Sequence, residues 1–215
     1  MDNWYDVYLN QISKYGGNKN YIIFKLKHKK KLLKILRKNI NGGKVVEVGC
    51  GTGIICSKLS HEGYNVSGID INKDILKLAS NLEKEFYGKN KVVFEKKSMF
   101  ELDYPPKEFD LCYSVGVLEH FSDEQIVDSL SQQIKISRKV ILVIPTKWFD
   151  DNETLHGDDR FLKLSNWRDL ILKSNGKIIK EYSYPFRNNN YSCIKYLKKI
   201  FRPKAYRIFL IEESR

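Results

Sequence analysis

Several features that define other protein classes are missing from this 215-residue sequence. No apolar run is long enough to cross a bilayer, and Met1-Asp2-Asn3-Trp4 opens no signal-peptide pattern, so no membrane association or secretion is expected. Cysteine is scarce. Cys50, Cys56, Cys112 and Cys193 form no C-x-x-C pair, which argues against a zinc site or a disulfide framework and for reduced thiols in the cytoplasm. Internal repeats and low-complexity linkers are lacking, and the length leaves little room beyond one α/β domain over residues 1–215. Also absent is the third glycine of a dinucleotide-binding turn, because position 54 is Ile.

What is present centres on Val45-Val46-Glu47-Val48-Gly49-Cys50-Gly51-Thr52-Gly53. An apolar run reads as a buried strand, and glycines at alternate positions let the backbone approach a ligand closely. A helix is expected over residues 54–61 and a second strand over 65–69, ending in Asp70. Strand, glycine turn, helix, strand and acidic residue make a nucleotide-binding half-domain, in which Asp70, followed by Ile71, accepts hydrogen bonds from ribose hydroxyls. Asn72 or Asp74 can cap the helix expected over 73–86, which frees Asp70 from that task. Glu47 puts a carboxylate where a phosphate would be repelled. An adenosine with a positively charged tail suits the loop better, and S-adenosylmethionine is such a ligand.

The run from Glu47 to Gly53 resembles the first motif of the class I S-adenosylmethionine-dependent methyltransferases. The resemblance implies an α/β fold: a Rossmann-like, seven-stranded, mostly parallel sheet with the last strand antiparallel and helices on both faces. It implies cofactor contacts from Glu47, Gly49, Cys50, Gly51, Gly53, Asp70 and Ile71. After a third strand (91–95), Ser98 stands where the family commonly has an acidic residue for the adenine amino group, with Met99 packing on the ring and Phe100 next to it. Residues 109–121, ending in Gly-Val-Leu-Glu-His-Phe, resemble the fourth-strand motif of the small-molecule members. That likeness sets Ser114, Val115 and Gly116 beside the methionine portion of the cofactor. It turns Glu119 and His120 toward the acceptor, with His120 a candidate base.

The segment before the core (1–43) is read as an aromatic arm and a helix. Residues 4–20 carry Trp4, Tyr5, Tyr8 and Tyr15, and the resemblance implies a lid, with Tyr15 and Tyr21 as candidate acceptor contacts. Residues 19–37 read as one amphipathic helix, stopped by Asn41-Gly42-Gly43. Further on, a helix is expected over 123–137, a buried fifth strand over 140–144, a helix over 165–174 capped by Asn175-Gly176, and strands over 177–184 and 206–211. The loops 145–165 and 185–204 are expected on the substrate side. His156 in the first is a second candidate base, and it and Arg160 are candidate acceptor contacts. The acidic residues around His156 read as solvated, so no metal is expected.

The net charge of +12 is concentrated in residues 25–38 and 195–207. These clusters read as solvated helix faces, since no aromatic-interleaved recognition pattern accompanies them. The expectation is therefore a monomeric or homodimeric enzyme that methylates an oxygen or nitrogen of a small molecule. An RNA- or protein-directed methyltransferase is the alternative, against which stands Ser-Val-Gly-Val at 114–117 in place of Asn/Asp-Pro-Pro-Tyr/Phe. A non-catalytic cofactor-binding partner is the other.

Overall fold

β1 (Lys44–Val48) has three valines in five residues and is covered on both faces, the pattern of a strand at the centre of a doubly wound sheet. The computed structural model describes residues 4–146, 160–184 and 206–214. β1 pairs in parallel with β2 (Asn65–Asp70) on one side and β4 (Phe109–Val115) on the other. β3 (Val93–Lys96) extends the sheet beyond β2, and β5 (Ser137–Pro145) lies beyond β4. β7 (Tyr206–Glu213) runs antiparallel between β5 and β6 (Gly176–Tyr184). The order is β3-β2-β1-β4-β5-β7-β6, with the last strand antiparallel, as the family resemblance implied, and inserted between β5 and β6.

Both faces are covered because side chains alternate along each strand. Val45, Leu111, Tyr113, Ile141 and Val143 pack with α3 (Lys30–Asn39) and α4 (Ile54–His61). Val46, Val48, Cys112, Val140 and Leu142 pack with α6 (Asp123–Ile136) and α7 (Leu164–Lys173), where Trp167 is fully buried. Removing a Leu, Ile or Val side chain from water contributes roughly 1.5–3 kcal/mol, so these two clusters dominate the folding energy. α5 (Lys73–Tyr87) is capped by Asn72, whose Oδ1 accepts from the Asp74 and Ile75 N–H groups, not by Asp70. Ser122 and Gln125 form a reciprocal capping box on α6.

Three expectations need correction. The aromatic arm is a helix, α1 (Trp4–Lys14), ended by Gly16-Gly17. The helix expected over 19–37 is two: α2 (Asn18–His28) and α3, joined at Lys29. Lysines at 29 and 30 interrupt the apolar stripe, so α2 buries Tyr21 and Ile22 against α4 and α5, while α3 buries Leu32, Leu33 and Leu36 on the sheet. At the end of α7 the left-handed residue is Asn175, and Gly176 already begins β6. Among the described residues no helix is long and apolar enough to cross a membrane.

Asn72→Ala removes two accepted hydrogen bonds at an N-cap, and a loss of about 1 kcal/mol in urea-unfolding free energy is expected. No loss would return the capping task to Asp70.

Candidate functional site

The carboxyl ends of β1, β2 and β4 converge on one edge of the sheet, where a crevice forms in folds of this topology. The loop between β1 and α4 enters it with Gly49, Gly51 and Gly53 all at positive φ. A β-carbon on Gly49 would lie 2.7 Å from Val117, and one on Gly51 would strike the Tyr8 hydroxyl. Both positions thus require glycine for conformation and for space. The Cys50 N–H donates to the Ile69 carbonyl at 2.9 Å, which ties the loop to β2. Half-buried Asp70 receives the Gly51 N–H on Oδ2 at 3.1 Å and the Asn72 N–H on Oδ1 at 3.0 Å. Each oxygen keeps a lone pair for a further donor. Burial raises the Asp70 carboxyl above its usual range, while these N–H groups act in the opposite direction. Ile71 beside it is 63% exposed, a large apolar side chain at the surface.

Beneath the loop lies Glu47, buried, its Oε2 accepting from the Cys56 thiol at 2.8 Å and the Tyr113 hydroxyl at 3.0 Å. Burial pushes its carboxyl up to about 7, against the opposing pull of these two donors and of Lys29. Burial likewise raises Cys50, Cys56 and Tyr113 well above their ordinary values, so they stay protonated, and Cys56 and Tyr113 remain donors. The three cysteines among the described residues are free and buried, while Cys193 lies outside the described residues.

α1 closes over this loop. Trp4 and Tyr8, one turn apart, share a face on which Trp4 meets His120 edge-on at 5.3 Å and Tyr8 covers Gly51. Past β4, the buried Ser114 Oγ has no hydrogen-bond partner among the described residues. The Gly116 N–H donates to the Val143 carbonyl at 3.0 Å, with φ at +68°. A short 3₁₀ turn (Leu118–His120) then buries Glu119 and leaves His120 half-buried at the crevice. Across the opening, the Ser98 hydroxyl accepts the Phe100 N–H at 3.2 Å, Met99 is half-buried, and Phe100 meets Phe121 edge-on at 5.4 Å.

Two candidate acceptor contacts have other tasks. Tyr21 is fully buried among Ile12, Ile22, Ile54 and Leu82, with its hydroxyl 3.5 Å from Thr52 Oγ1, so it props the glycine loop from below. Arg160 donates to the Phe121 carbonyl and, at 2.6 Å, to Asp123, and its own N–H bonds the Glu119 carbonyl at 2.9 Å. Its guanidinium therefore holds the turn that carries His120. Tyr15 is half-buried and stacks on Phe24 at 4.1 Å. His156 lies outside the described residues. Among the described residues no three His, Cys, Asp or Glu side chains gather as a metal site. The sequence reading missed Tyr8 and Tyr113. Tyr8 had a signal, the four-residue spacing from Trp4, whereas Tyr113 is identified only through its cross-strand pairing with Glu47.

A family model described as a methyltransferase domain matches residues 45–139. The chain is 33% identical over 96 residues to phosphoethanolamine N-methyltransferase from Plasmodium falciparum, a match over 44% of this chain and 35% of that protein. It is 37% identical over 90 residues to a ubiquinone biosynthesis O-methyltransferase from Thiobacillus denitrificans, over 40% of this chain and 37% of that protein. The chain thus spans little more than a third of the length of these curated relatives. Magnesium protoporphyrin IX methyltransferase from Synechocystis PCC 6803, solved with bound S-adenosylmethionine, has the same fold. Its TM-score is 0.65 at 18% identity, over 89% of this chain and 81% of that one.

A carboxyl whose folded-state value is raised contributes stability that is complete below its unfolded value and is lost as pH rises through about 7. The wild type should therefore lose stability relative to Glu47→Gln between pH 5 and pH 8, by on the order of 2–3 kcal/mol. Parallel urea titrations of the two proteins measure this. A constant difference across that range would mean that Glu47 ionises as an ordinary carboxylate.

Proposed function

We propose that this chain is a class I S-adenosylmethionine-dependent methyltransferase, whose residues 1–215 form one catalytic domain that methylates an oxygen or nitrogen of a small molecule; the methyltransferase-domain match, the methyltransferase relatives and the shared fold support this reading. The observation that carries the reading is Asp70. It braces the glycine loop through Gly51 while keeping lone pairs free at the end of β2, beside an exposed Ile71. The residues around the crevice suit the adenosyl cofactor. Asp70 accepts from the ribose hydroxyls, Ile71 and Met99 flank the adenine, and Ser98 retains a lone pair for its amino group. Ser114, a buried hydroxyl with no described partner, together with Val115 and Gly116, borders the methionine portion. Gly49, Cys50 and Gly53 shape the loop around that portion, with the Glu47 carboxylate beneath it complementary to a cationic amino group.

The cofactor supplies a methyl group already activated on a sulfonium. The protein's task is then to align the acceptor atom with it and exclude water. α1 performs the exclusion by closing Trp4 and Tyr8 over His120 and Gly51. His120, held at the crevice by the Leu118–His120 turn and by Arg160, takes the proton of a hydroxyl acceptor. An amine acceptor that is already deprotonated needs no such base. Glu119, on the same turn, borders the acceptor. The names of the two curated relatives cover both acceptor atoms, one an N-methyltransferase and the other an O-methyltransferase.

Transfer of labelled methyl groups from S-adenosylmethionine to a panel of small phenols, amines and carboxylic acids, run beside bulk RNA, tests the reading. Label in a small acceptor supports it, whereas label in RNA alone would replace the acceptor class. Asp70→Ala should weaken S-adenosylmethionine binding more than about tenfold by calorimetry. Equal affinity would remove the ribose assignment. His120→Ala should keep cofactor affinity and slow transfer to a hydroxyl acceptor by roughly 10²–10⁴-fold. Unchanged turnover would leave His120 as a partner of Trp4 alone.

A further inference from the structure

We propose that Lys25 of α2 and Lys29 at the α2–α3 junction form an anion-binding subsite for the methyl acceptor, which therefore carries a phosphate or carboxylate group; this rests on the methyltransferase reading above. Lys29 caps the C-terminus of α2 four positions after Lys25, and its N–H donates to the Lys25 carbonyl at 3.0 Å. Lys25 Nζ lies 5.3 Å from the centre of the Tyr21 ring, and Lys29 Nζ lies 5.4 Å from the centre of the Tyr206 ring. Tyr206 opens β7 opposite Pro145, at the carboxyl end of β5. In the order β1-β4-β5-β7, that position is three strands from the strand feeding the glycine loop. Lys29 thus reaches over the part of the crevice beyond β4, past the turn that carries His120.

Both ammonium groups are shielded without being neutralised. Each side chain is half-buried, and among the described residues neither forms an ion pair. Their neighbours behave differently: Lys31 reaches the Ser183 carbonyl at 2.5 Å, and Lys27, Lys30 and Lys34 point into solvent. Burial, with Lys29 close by, pulls the Lys25 ammonium down to about 7. Burial also lowers Lys29, opposed by the fields of Glu47 and Glu119. Glu47 already uses its Oε2 to accept from Cys56 and Tyr113. A partly buried cation within the field of another is destabilised, and an anion bound within reach of both relieves this. A phosphate or carboxylate there would accept charge-assisted hydrogen bonds from both, and would fix the rest of the acceptor near His120.

The test is calorimetric, at constant ionic strength, in three stages. The wild type is first loaded with S-adenosylhomocysteine, and failure to bind it would overturn the methyltransferase reading and this proposal together. The loaded protein is next titrated with phenyl phosphate and, separately, with benzoate, which distinguishes the two anion sources. Saturable binding of at least one is expected; binding of neither would overturn the subsite alone. Finally, Lys25→Met and Lys29→Met should each weaken that binding about tenfold, while Lys29→Arg and the exposed control Lys34→Met stay within about twofold. Equal anion affinity in the Met variants would overturn the proposal. So would a matching loss of S-adenosylhomocysteine affinity, which would assign the lysines to the cofactor's own carboxylate.

Discussion

The site depends on a carboxylate kept out of water. An ionised group buried without partners costs several kcal/mol, and Glu47 is tolerated because Cys56 and Tyr113 both donate to it. Those donors come from α4 and β4, so one residue ties together the strand before the glycine loop, the helix after it and the strand paired beside it. In the function proposed above, the same carboxyl group disfavours phosphate and favours a cationic tail, so the interaction that secures the loop would also select a charged adenosyl ligand over a dinucleotide.

Around that anchor the structure is a series of close approaches. Gly49 leaves room for Val117, Gly51 for Tyr8, and Asp70 bonds the loop from the neighbouring strand. Because Tyr8 and Trp4 share one face of α1, that helix covers both the loop and His120. Arg160 performs the matching task on the other side, where it fixes the turn between β4 and α6 through Glu119, Phe121 and Asp123.

The central strands were legible in the sequence where they are buried on both faces and therefore read as unbroken apolar runs, as in 140–144. The glycine loop and Asp70 were legible because spacing alone constrains them. What failed to show was docking. Whether Tyr21 faces an acceptor or the core depends on how α2 rotates against α4 and α5, and no local pattern records that rotation. Arg160 read as a candidate acceptor contact, yet its partners lie nearly forty positions back in the chain. The break at Lys29 was written in the sequence, as two lysines where the apolar stripe should continue, but its consequence, an ammonium over Tyr206, requires the folded sheet.

The central claim, that this loop selects an adenosyl cation and not a dinucleotide, is tested most directly by calorimetric titration of the protein with S-adenosylmethionine, S-adenosylhomocysteine, NAD and NADP. Saturable binding of the first two, with no heat from either dinucleotide, is the predicted result. Binding of NAD or NADP in their place would contradict the assignment of Glu47 and the glycine spacing, and with it the proposed chemistry.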